Sequence, residues 1–411
     1  MAHVYARPHH MLQTEEEVLD IVEDDPSTST REIARQSVID VLQLTMACRI
    51  SILIFSVLIT FCSSDNILDL GGKWLVKEAS GSKYLYVVNM KIWKLLCQGG
   101  IYSDLMNNGI IDDIYYGAND DETRWVPRSN WTYYTTFTVH EDLLKFENIK
   151  LVFDGLDTFA SVFVNDVKVG ESINMFVQYV FDIKQDLKVG NNTIEVQFLS
   201  PILIAESINA EQNKSYSIPL NCPPNEYRGE CHANMIRKMQ ASFAWDWGPS
   251  FPSMGIWKNV YIQAYHETVI RYVVTETIEN TDNWVLNIDT YFANNTKQKV
   301  DGKVSFLLSL GSVNITRTVD VSESLNEYGD IVLSESMQFS KWFSTLSRAA
   351  NFMFHAFKEY VNTWWPNGYG GHDLYDLTTT FSTTGESETS TKTNRVGFRT
   401  IELVQDTITL V

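Results

Sequence analysis

Short runs of alternating apolar and polar residues, cut by turn formers, recur along most of this chain. Thr193–Phe198 alternates cleanly, which suits a strand with one buried face and one wet face. Val152–Asp154, Ala160–Val164, Tyr179–Asp182, Asn192–Phe198 and Asn259–Ala264 are runs of this kind. Asn165-Asp166, Val189–Asn192 and Pro201 punctuate them. From about Thr268 a second set follows, with Trp284–Tyr291, Val300–Leu310 and Val313–Val319. Such spacing predicts antiparallel pairing, and about 130 residues of it fit an immunoglobulin-like sandwich. The expected fold is all-β: a jelly-roll β-sandwich followed by an immunoglobulin-like β-sandwich. Two segments break the pattern. Phe339–Tyr360 reads more like a helix, although Phe352, Phe354 and Phe357 fall on no clean helical stripe. Val87–Gln98 fits neither period.

At 411 residues the chain is long enough for two or three domains. Its net charge of −19 argues against a phosphate-binding surface, so no nucleic acid partner is expected. Residues 46–64 read as a signal peptide: Arg49 is the charged end, Ile50–Phe61 the apolar run, and Cys62-Ser63-Ser64 the small residues for cleavage. That run is too short for a comfortable span, so no stable membrane anchor is expected. Residues 1–45 stand before it as an extraneous segment. Glu15–Asp25, the Ser27–Thr30 cap and Arg31–Gln36 resemble the first two helices of a transposase helix-turn-helix, but no recognition helix follows.

There are five cysteines and no Cys-x-x-Cys pair, so neither a metal site nor a cofactor is expected. Cys222 and Cys231 flank a turn-rich loop and form the natural disulfide in an oxidising compartment, two free thiols being the alternative. Glycosylation sequons stand at Asn130, Asn191, Asn213, Asn294 and Asn314. Together with the leader they place the chain in the secretory pathway.

The densest chemistry lies in Ala244–Val260, AWDWGPSFPSMGIWKNV. Indole faces stack on the C–H faces of sugar rings, and a carboxylate accepts hydrogen bonds from neighbouring hydroxyls. The plain alternative is that the tryptophans are core wedges and Asp246 caps a turn. Asp154 and Asp157, either side of Gly155, read as turn formers.

The order of motifs resembles β-mannosidases of glycoside hydrolase family 2, of the animal lysosomal kind. Leu70–Trp74, Gly100–Leu105, Asp112–Gly117, Asn130–Tyr133, Leu151–Thr158 and Phe163–Asn165 carry the resemblance. So do Trp245–Pro249, Gly255–Trp257, Trp364–Gly370 and Val396–Arg399. The resemblance spans roughly residues 66–411 apart from the two misfit segments. It implies a jelly-roll domain over 65–265 and an immunoglobulin-like domain over 266–404, with 405–411 starting the connection to a (β/α)₈ catalytic barrel that this sequence lacks.

It further implies a retaining hydrolase acting on terminal β-D-mannose of N-glycan fragments, with two barrel glutamates as acid/base and nucleophile. Asn225-Glu226 and Asn326-Glu327 match no family motif, so no catalytic residue is expected here and the chain alone should not turn over substrate. Trp245 and Asp246 are the implied substrate-binding residues. Trp247 comes second, expected mainly to pack. The implied partners are a β-mannoside oligosaccharide and the family's own C-terminal barrel, and the implied location is the lysosome. A non-enzymatic carbohydrate-binding sandwich protein is the competing reading.

Overall fold

The structure is a computed structural model. It describes residues 66–79, 85–87, 99–219, 222–294, 299–311, 313–326, 330–340, 342–345, 356–359, 361–384 and 389–401. The expectations for 1–45, for the signal peptide, for 88–98 and for 405–411 concern residues outside these.

Strands dominate, in two successive sandwiches. The first has a six-stranded sheet in the order Leu85–Val87, Trp74–Glu78, Trp131–Val139, Gly190–Phe198, Ala160–Val164, Val167–Ser172. Facing it is a four-stranded sheet in the order Asn66–Asp69, Val260–Tyr265, Asn148–Phe153, Tyr179–Asp182. Every neighbouring pair is antiparallel. The alternation seen at Thr193–Phe198 is the physical one. Ile194, Val196 and Phe198 are buried between the sheets, and Gln197 faces water. Trp74 and Tyr133 are fully buried in the same core. Each such large side chain contributes about 1.5–3 kcal/mol when removed from water.

The second sandwich packs a three-stranded sheet, Thr268–Glu279, Asn283–Asn294 and Ile331–Ser340, with a four-stranded one. The latter runs Val313–Ser324, Lys299–Leu310, Tyr375–Thr383, Thr389–Val396. Its core holds Trp284, Leu286, Ile288, Phe306, Leu308, Phe381 and Phe398. Among the described residues no (β/α)₈ barrel is present.

Two expectations need correction. The helix expected over Phe339–Tyr360 is not formed by the described part of that segment. Phe339 lies in the strand Ile331–Ser340, paired with Asn283–Phe292, and Trp342–Thr345 pairs antiparallel with Ala356–Glu359. Aromatic residues without a helical stripe favour a pleated surface. Pro201, expected as a turn between strands, instead starts the helix Pro201–Gln212. Ser200 caps it, its Oγ accepting from Leu203 N–H at 3.2 Å, and proline fits the first helical position because no N–H is needed there.

Candidate functional site

Ala244–Val260 leaves the first sandwich as a tight hairpin. Phe243 stands opposite Ser250 and Trp245 opposite Gly248, so Asp246 and Trp247 form its turn. Phe251 N–H donates to Ser242 O at 2.8 Å and closes the neck. Ala244 is held at φ +74°, a left-handed conformation that costs a residue with a side chain about 1–3 kcal/mol. The chain passing behind is glycine for want of room. A Cβ on Gly229 would stand 2.5 Å from Phe243 O and 3.1 Å from Ala244 Cβ.

The turn directs its chemistry outward. Trp247, expected mainly to pack, is 61% exposed. Its indole N–H donates to Ala241 O at 3.0 Å, which fixes the ring. Asp246 is exposed, and among the described residues its carboxylate engages no hydrogen bond or ion pair. Trp245 is half-buried. Its ring centre lies 6.1 Å from that of Trp247 and 5.4 Å from that of Tyr227. The turn thus offers an anchored indole and an uncommitted carboxylate side by side, which suits a sugar ring and its hydroxyls.

Tyr227, which carries no motif signal, belongs to the loop Cys222–Cys231. The two cysteines are joined, with S–S 2.05 Å. The loop is tied to the hairpin by Glu230 N–H, which donates to Phe243 O at 3.0 Å. The Glu230 carboxylate is 4% exposed and takes Arg124 at 2.9 Å and Arg128 at 2.6 Å. Arg228 pairs with Asp121. Glu226 sits in a one-turn 3₁₀ helix, Asn225–Tyr227, on the surface. Asn326 is described; Glu327 lies outside the described residues.

Asp157 is not merely a turn former. It is buried, and Lys238 Nζ reaches both its carboxylate oxygens at 2.5 Å. Burial pushes the Lys238 ammonium below its ordinary pKa, against the opposing pull of Asp157. Asp154 does serve its turn, accepting from Gln178 at 2.9 Å and Asn259 at 3.2 Å. Nothing in the sequence links Asp157 to Lys238, 81 positions away. Gly155 is needed for contact, since a Cβ there would stand 2.5 Å from the Trp257 indole nitrogen.

Below the hairpin, the helix Ile101–Asn107 docks through Ile101 N–H on Met254 O at 2.8 Å. It carries a buried acid, Asp104, which accepts from Tyr133 Oη at 2.6 Å. Burial raises the Asp104 pKa from 3.8 to about 6, the Tyr133 bond offsetting part of the rise. A raised acid stabilises the fold fully below its unfolded pKa, and that stability is lost as pH rises through the folded one. The contribution is about 3 kcal/mol, lost between about pH 4 and pH 6. Asp104→Asn should therefore gain stability over wild type at pH 7.5 but not at pH 4, as read by denaturant unfolding at both pH values.

Among the described residues, no group of three or more His, Cys, Asp or Glu could hold a metal ion. No helix there is long and apolar enough to cross a membrane. The sequons differ in setting. Asn191, Asn213 and Asn314 are exposed. Asn130 Oδ1 is taken by Ser200 N–H at 2.8 Å. Asn294 Nδ2 donates to Thr268 Oγ1 at 3.1 Å and Lys299 O at 3.4 Å.

Residues 74–258 match the glycosyl hydrolase 2 galactose-binding domain-like family. Across most of its length the chain resembles β-mannosidases. It is 36% identical over 350 residues to β-mannosidase of Capra hircus, covering 85% of this chain and 36% of that protein. It is 35% identical over 314 residues to a probable β-mannosidase of Caenorhabditis elegans, covering 75% and 32%. The chain therefore spans about a third of the length of these curated relatives. Among solved structures, β-D-mannosidase from Dictyoglomus thermophilum aligns at 28% identity with a TM-score of 0.60, covering 82% of this chain and 37% of that one. An exo-chitosanase from Amycolatopsis orientalis shares the fold at 15% identity and TM-score 0.50, covering 81% and 33%.

Proposed function

We propose that this chain is the sugar-holding part of a β-mannosidase, a retaining glycosidase that releases terminal non-reducing β-D-mannose from N-glycan fragments. The observation that carries this reading is the Asp246-Trp247 turn. An anchored, exposed indole and an unpaired carboxylate project together from a domain of the glycosyl hydrolase 2 type. Trp247 supplies the face on which the mannose ring stacks, Asp246 accepts from its hydroxyls, and Trp245 with Tyr227 backs the platform. None of the described residues is assigned to bond cleavage; in this reading the two glutamates belong to a barrel that this surface faces.

The test is a ligand-observed NMR titration with methyl β-D-mannoside. Wild type should bind in the millimolar range, and Trp247→Ala and Asp246→Ala should each weaken binding tenfold or more, about 1.4 kcal/mol. Equal affinity in all three would remove the turn from the site.

The same reading puts the protein in the secretory pathway, on the strength of the leader at 46–64 and the sequons, and in the lysosome, on its likeness to animal β-mannosidases. Glycopeptide mass spectrometry of secreted protein should find glycans at Asn191, Asn213 and Asn314. Asn294 should be bare, because a glycan replaces one of the two amide hydrogens that it uses for Thr268 and Lys299. Asn130, whose amide lies against the fully buried Ser200, should be largely bare too.

A further inference from the structure

We propose that Asp157 and Lys238 are positioning residues that set the Asp246-Trp247 turn, a role that rests on the sugar-binding reading above. Both flanks of the hairpin are seated on the same two short segments of the first sandwich, Gly155–Thr158 and Asn174–Met175. On the leading flank, Lys238 Nζ bridges both Asp157 oxygens at 2.5 Å, and Met175 N–H donates to Arg237 O at 3.0 Å. On the returning flank, Gly255 pairs with Asp157 and Ile256 with Leu156. Trp257 N–H donates to Gly155 O at 3.3 Å, and its indole N–H to Met175 O at 2.9 Å.

Asp157 therefore grips the entry with its side chain and the exit with its backbone. The pair is 1% and 8% exposed at its side chains, far more costly to bury than this core position requires. Apolar residues of similar volume would serve packing alone at least as well. A charged pair adds direction: the ammonium has one carboxylate to meet, so the segment entering the hairpin is fixed relative to the exit. Turn residues eight and nine positions beyond Lys238 inherit that placement, and a tilt there moves the Trp247 ring off its target.

The experiment compares wild type, the double variant Asp157→Leu with Lys238→Met, and Trp257→Phe. Amide hydrogen exchange is followed across 243–250 in each, alongside thermal unfolding and the methyl β-D-mannoside titration. The double variant removes both charges together and should keep its thermal midpoint within about 3 °C of wild type. Exchange in 243–250 should nevertheless rise tenfold or more, and sugar affinity should fall tenfold or more. Trp257→Phe, which loses the Met175 bond and part of the ring packed on Gly155, should raise exchange in the same segment. Wild-type exchange and affinity in a folded double variant would overturn the proposal. If the double variant does not fold, the milder Asp157→Asn takes its place, and unchanged exchange at 243–250 and unchanged affinity there overturn the proposal. Faster exchange in both variants, with no mannoside binding by wild type, would leave the positioning role standing and remove the sugar-binding reading.

Discussion

Trp284→Ala should unfold the second sandwich at a temperature where the first remains folded. Trp284 is 2% exposed and meets Phe398 edge to face at 5.3 Å. Phe398 in turn contacts Phe339 at 5.6 Å and Tyr375 at 5.8 Å. Its backbone oxygen accepts from Trp364 N–H at 2.9 Å. Trp284 thus backs Phe398, the ring that meets both sheets and whose backbone holds the segment that follows Tyr360. Removing it costs the transfer energy of a large aromatic plus the cavity left behind, about 3–5 kcal/mol. For a domain of this size the midpoint should fall by roughly 10 °C or more. Calorimetry should resolve two transitions in the variant, the lower carrying the second sandwich. A shift below about 2 °C would mean that Trp284 is not the brace described.

Removing the disulfide should have the next largest effect, and at a different place. Cys222 and Cys231 close a loop of sequence separation 9, for which loop-closure entropy gives about 2–3 kcal/mol. That loop carries Tyr227 against Trp245 and Glu230 against the hairpin backbone. Cys222→Ser with Cys231→Ser should therefore lower the midpoint and also weaken methyl β-D-mannoside binding severalfold, although neither cysteine lies in the turn. Limited proteolysis should cut first between 222 and 231. Unchanged affinity in the reduced or substituted protein would separate the loop from the platform.

Much of this architecture was legible in the sequence, and for physical reasons. Alternation exposes one strand face and buries the other, so Thr193–Phe198 and Trp284–Tyr291 could be placed without coordinates. The motif Trp245–Pro249 marked the candidate site. Which of its indoles faces out could not be read, because that depends on hairpin register, and the register makes Trp247 a turn residue. Long-range polar pairs were equally hidden. Asp157 with Lys238, and Glu230 with Arg124 and Arg128, join residues distant in sequence whose types are ordinary on any surface. Phe339–Tyr360 misled because abundant aromatics suit helix or strand, and only the pairing partner decides.

Saturation-transfer NMR on the intact chain with methyl β-D-mannoside tests the central claim most directly, since it reports which sugar protons touch the protein. Transfer should be concentrated on the ring C–H protons of one sugar face, as stacking on an indole requires, and should be lost in Trp247→Ala. Transfer spread evenly over the sugar and unchanged in Trp247→Ala would contradict it.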